Sequence, residues 1–141
     1  MEKLEKQLFF KSIYVDLKNV RYDRKNNPSK DVTTINVIVR DNDEILDVTP
    51  KGFKLLFERS VTFNPEMIFD LKVSYEVSFD FDTRTINEYK NDFEGLKELI
   101  NVKREKALNM TGVISKASTL ISNITVQNNG NAIVTPPTYS K

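Results

Sequence analysis

The sequence predicts an α+β fold, a four-stranded antiparallel sheet followed by two C-terminal helices packed on one face. Two observations predict it. Apolar residues alternate with polar ones at period 2 through much of the first 81 residues, and from Thr85 onward their spacing changes to three and four. Strands that come first and helices that come last argue for helices gathered on one side of an antiparallel sheet. No internal repeat or linker divides the chain, so residues 1–141 read as a single domain.

The first strand spans about Leu8 to Tyr22. Phe9, Ile13, Val15 and Leu17 share one parity, and Val20 and Tyr22 then switch to the other, the pattern that a bulge or bend produces. In the second strand Ile35, Val37 and Val39 alternate with Thr34, Asn36 and Arg40, between the polar runs DRKNNPSKD and DNDE. Phe53, Leu55, Phe57, Val61 and Phe63 mark the third. The fourth is the clearest: from Met67 to Phe81 every odd position is apolar and every even one polar except Ile68, as in a half-buried antiparallel strand. Asn64-Pro65-Glu66 supplies turn chemistry for a hairpin between the third and fourth.

Thr85-Ile86-Asn87-Glu88 fits a capping box, in which side chains satisfy the free backbone donors of a helix start. Ile86, Tyr89, Phe93, Leu96 and Ile100 then form one apolar stripe. A second helix fits roughly Val102 to Val126, with Ala107, Met110, Ile114, Ala117, Ile121 and Ile124 on one face, and Asn128-Asn129-Gly130 suits its stop. Pro136 and Pro137 make the last residues extended.

Composition excludes more than it suggests. The chain is 39% hydrophobic and 29% charged, and its 21 basic and 20 acidic residues leave a formal charge of +1. Such balance gives no electrostatic footprint for nucleic acid or an anionic membrane. No run approaches the roughly 20 apolar residues of a membrane span. The opening MEKLEKQLFF lacks a signal peptide's apolar run, so a cytoplasmic location is expected. Without Cys or His there is no zinc finger site, thiolate nucleophile or imidazole base. Four scattered glycines build no phosphate-cradling loop. No cofactor or metal is expected, and a binding or assembly role is favoured over catalysis.

Three polar clusters have ordinary explanations. Asp41, Asp43, Glu44 and Asp47 lack the glycine and distal glutamate of a calcium loop and read as a solvated loop between strands. Asp80 and Asp82 share a polar strand face, and nothing marks either as a buried acid. Lys103, Arg104 and Lys106 lack interleaved aromatics and read as a solvated helix face. The apolar residues on the wrong parity carry more. Leu8, Phe10 and Tyr14 fall opposite Phe9, Ile13 and Val15, while Ile38, Leu56 and Ile68 interrupt polar faces. They suit either an ordinary surface or an interface with a subunit or an apolar client.

In order, these segments resemble the SecB family of bacterial export chaperones. FFKSIY followed by KNVRYD is similar to the family's first strand, and ISKASTLISNITVQNNGNAIVTPPTY is similar to its ending, a helix, a Gly turn and an extended Pro-containing segment. The resemblance implies a dimer of dimers that holds unfolded polypeptides in apolar grooves without ATP, and relatives of the family serve as chaperones for antitoxins. The off-parity and helix-edge apolar residues Phe10, Tyr14, Leu56, Ile68 and Leu120 are the expected client contacts of such a chaperone, and the resemblance implies positions for docking the SecA motor at Asp23 and Glu76. Export members present an acidic outer face to that motor; here the even-parity face mixes Lys54 and Lys72 with Glu58, Asp70, Glu76 and Asp80. The leading expectation is an ATP-independent chaperone for non-native polypeptides. The alternative is a module dedicated to one partner, such as an antitoxin or a phage protein.

Overall fold

A computed structural model describes residues 7–25, 36–64, 69–129 and 132–140. Four strands come first: β1 (Phe10–Arg24), β2 (Asn36–Thr49), β3 (Gly52–Asn64) and β4 (Phe69–Phe81). They form one antiparallel sheet in the order β1-β4-β3-β2, so β2, β3 and β4 run as a meander and β1 lies beside β4. That is a Greek key, in which the link from β1 to β2 joins opposite edges of the sheet.

The β3–β4 hairpin follows the alternation read from the sequence, with Phe53 opposite Phe79, Leu55 opposite Val77 and Phe57 opposite Tyr75. These side chains all turn to one face and are buried there. Pro65, Glu66, Met67 and Ile68 lie outside the described residues, as does Ile35. The parity switch in β1 is a bulge: Leu17 faces Tyr75 and Asn19 faces Ser74, with Lys18 left over. A second bulge leaves Lys11 over between Phe10 and Ser12, and sequence reading did not anticipate it.

β2 departs further from expectation. The acidic run is no solvated loop; residues 41–47 stay in the strand, paired with Arg59 through Lys54 of β3 except at a bulge that leaves Leu46 over. Asp41 and Asp43 take the parity of Val37 and Val39 and so turn toward the core side.

Helices cover that same side. Among the described residues there are three where two were expected: α1 (Thr83–Glu88), α2 (Phe93–Thr111) and α3 (Val113–Asn129). α1 is capped by Asp82, whose carboxylate accepts from the Arg84 amide at 2.6 Å. Thr85, expected as a cap, is buried within α1, and its hydroxyl accepts from the Phe9 amide at 2.8 Å. The chain turns through Tyr89 and restarts at Asp92, which caps α2 by accepting from Gly95 N. Gly112, at φ 78, ends α2 and sets the direction of α3. Leu96, Ile100, Leu108, Ile114, Ala117 and Ile121 complete the core against the sheet.

Candidate functional site

β1 is an edge strand, and its bulges decide what it shows. Each bulge flips the phase by one residue, so Phe10, Ile13, Val15, Leu17, Val20 and Tyr22 all lie on the helix side. Phe10 is therefore not opposite Ile13 and Val15, as strict alternation implied. Its ring sits 5.0 Å from that of Phe79 and 6.0 Å from that of Phe53, half-buried at the rim of the core.

The helices do not fully cover this strand. Leu17 remains 45% exposed and Val20 39%. Between β1 and α3 runs an open groove of about 520 Å³, with Val15, Leu17 and Tyr75 on its floor and Leu120, Lys116 and Asn123 on its wall. Leu120, expected as a client contact, is half-buried in that wall. A smaller hollow of about 180 Å³ lies between the start of β1 and α2, lined by Leu8, Phe10, Lys103, Lys106, Ala107 and Met110. Phe10 and Leu120 thus share one side of the molecule in separate hollows.

Tyr14 and Leu56 lie on the opposite, outer face. Tyr14, across from Ser78, is 62% exposed, and Leu56, across from Glu76, is half-buried. Ile68 lies outside the described residues. The two carboxylates expected to meet the motor are also on this face, and both are engaged. Asp23 accepts from Arg21 Nε at 2.8 Å, and Glu76 lies 3.5 Å from Lys54 Nζ and 3.8 Å from Lys18 Nζ. Lys72 lies 3.8 Å from Glu58, and Lys25 lies 3.2 Å from Asp70. Asp23 faces Asp70 across the β1–β4 ladder, six residues of strand from Glu76, which is about 20 Å.

The polar centre that sequence reading missed lies on the helix side. Arg59 of β3 is fully buried and pairs bidentately with Asp41, both contacts being 2.7 Å and both side chains wholly shielded from solvent. Its remaining donors reach Ser118 of α3 at 2.9 Å, Thr135 at 3.0 Å, the Pro136 carbonyl, and the Thr138 carbonyl at 3.0 Å. Asp41 in turn accepts from the Ser140 amide, and its own amide donates to the Ser140 carbonyl at 2.6 Å. The C-terminal strap, residues 132–140, is thereby held against β2. Tyr139 adds a ring contact to Phe57 at 6.1 Å and donates its phenol to Asp43 at 2.7 Å. Burial, reinforced by that carboxylate, pushes the Tyr139 phenol above its ordinary value. Arg104 Nε lies 3.1 Å from the other, buried Asp43 oxygen, close enough for an ion pair but off the line of a hydrogen bond. The signal was present in the sequence: Arg59 stands on the apolar parity of β3, between Phe57 and Val61.

No family model matches the chain, and no curated protein matches it in sequence. Among solved structures it is similar to a SecB-like chaperone of Mycobacterium tuberculosis in complex with a ChAD peptide from the HigA1 antitoxin. The TM-score is 0.65 at 9% identity, over 92% of this chain and 91% of that one. The sheet followed by C-terminal helices is a SecB-like fold.

Proposed function

We propose that this chain is a chaperone that binds non-native polypeptide without ATP, as a homo-oligomer and without catalysis. The observation that carries the reading is the open groove between β1 and α3, with apolar Val15 and Leu17 on its floor and Leu120 in an otherwise polar wall, left uncovered by this chain's own helices. Exposed apolar surface of this kind recruits other apolar surface, at about 25 cal/mol per Å² removed from water. β1 adds a second means of capture. Its outer edge faces no strand among the described residues, so its free amides and carbonyls can pair with an extended chain or with a second copy. The SecB-like fold supports the same reading. The export motor is left out, because Asp23, Glu58 and Glu76 of the outer face already lie against arginine and lysine.

A second reading is favoured by one observation, the antitoxin peptide bound to the structural neighbour. In it the groove serves a single dedicated partner. Light scattering on a sizing column, with and without an unfolded, non-aggregating polypeptide, separates the two. An oligomer that co-elutes with the unfolded chain and ignores its folded form is the expected result. An oligomer that binds no unfolded chain overturns the general chaperone and leaves the dedicated one.

A further inference from the structure

The strap is bound by chemistry that any extended polypeptide could supply. Four of its contacts with the Asp41–Arg59 pair are made by its backbone: the Pro136 and Thr138 carbonyls accept from Arg59, the Ser140 amide donates to the Asp41 carboxylate, and the Ser140 carbonyl accepts from the Asp41 amide. The last of these lies on the open edge of β2, where a further strand would begin to pair. Around that pair, side-chain selection falls mainly on the Thr135 hydroxyl, which meets Arg59 and Ser118, and on the Tyr139 ring between Phe57 and Asp43, with the Ser140 hydroxyl adding a longer contact to the Val39 carbonyl.

Little apolar surface holds the strap down. Thr135 is buried, Ile133 and Tyr139 are half-buried, and Pro136, Pro137 and Thr138 are exposed, with Val134 84% exposed. Its release would also leave no isolated buried charge. Asp41 and Arg59 hold each other through both carboxylate oxygens, and Ser118 remains on the guanidinium. Breaking such a pair is what costs most, and release of the strap does not break it.

From these contacts, and with the chaperone reading supplying the class of ligand, we propose that the Asp41–Arg59 pair and the Phe57–Asp43 niche form a second polypeptide-binding site. The chain's own residues 135–140 occupy it in cis. An extended client segment carrying an aromatic residue displaces them in trans, so the strap is a built-in competitor that sets client affinity.

The test uses the full-length chain, a fluorescent peptide of the sequence Ala132–Ser140, and the unfolded polypeptide of the sizing experiment. Tyr139→Ala weakens the strap without touching the groove beside β1. It should raise affinity for the labelled peptide about tenfold, because a larger fraction of molecules presents an open site. Tyr139→Phe keeps the ring and should give a smaller rise, and it serves if the alanine variant does not fold. A peptide with its own tyrosine replaced by alanine should bind worst. In the unaltered chain, the Tyr139 and Ser140 amides should exchange faster once the unfolded polypeptide is bound. If those amides stay protected under bound client and no variant takes up peptide, the strap is a fixed part of the fold and the proposal fails, while the chaperone reading stands. Uptake of the peptide by a chain that ignores unfolded polypeptide keeps the site and overturns the chaperone reading instead.

Discussion

Arg59 occupies a position that alternation assigns to the core, and the structure keeps it there by satisfying every part of the guanidinium. Two oxygens of Asp41, two hydroxyls and two carbonyls surround it, so the charge is buried but never alone. Such a pair adds little net stability over an apolar one, yet losing half of it is costly. Arg59→Met should therefore destabilise the chain by about 3–5 kcal/mol, read as a lower urea midpoint, because Asp41 would stay buried without its cation. Pairing that change with Asp41→Leu should recover most of the loss. A single variant within 1 kcal/mol of the parent would show that Asp41 can be satisfied without Arg59. The sequence held half of this centre. The odd parity of Arg59, like that of Asp41 and Asp43 beside Val37 and Val39, marks charges aimed at a core. What could not be read is their meeting, since Arg59 lies 18 residues from Asp41 and 76 or more from the strap residues it bonds.

Among elements, the strands were legible where each face met one environment. β3 and β4 have a buried face and a solvated one, and period 2 marks them almost residue by residue. β1 was legible only in part, because each bulge moves every later side chain to the other face and Phe10 precedes the first of them. The helices were read as an apolar stripe, and a stripe does not record breaks that preserve its phase. The turn after Tyr89 keeps Tyr89, Leu96 and Ile100 all facing the sheet, so the interruption left no mark in the spacing. Gly112 did leave one. It is the one described residue with a positive φ, and a Cβ there would meet nothing within 4 Å. Gly112→Ala should thus carry a purely conformational penalty of about 1 kcal/mol, with no packing clash to add to it. Gly112→Asn should cost less, as asparagine tolerates the left-handed conformation. Equal midpoints for the parent and both variants in urea would mean that α2 and α3 can join without a left-handed residue.

At the scale of the whole molecule the two faces of the sheet have different chemistries, and this sets where a client can gain free energy. Charged residues of the outer face neutralise one another across neighbouring strands, through Lys18, Lys54 and Lys72 with Glu76 and Glu58. Exposed pairs of this kind contribute little each, but they leave no strong field to attract a charged partner. On the helix side the floor of the groove beside β1 is apolar and uncovered, since the helices lie over the interior of the sheet while Leu17 and Val20 remain partly bare. A client that buries apolar area there gains about 1.5–3 kcal/mol for each large side chain covered. Leu17→Ser with Leu120→Ser should then weaken binding of an unfolded polypeptide by about 100-fold, allowing for incomplete coverage of each chain. Tyr14→Ser with Leu56→Ser, on the outer face, should leave it within about twofold, a change of at most 0.5 kcal/mol. Added salt separates the faces further: binding beside β1 should persist at about 0.5 M salt, where the Debye length is only a few ångströms, whereas capture by charges of the outer face would fall away. Loss of binding through Tyr14 and Leu56, together with indifference to Leu17 and Leu120, would move the client to the outer face and make the open groove a contact between copies of the chain.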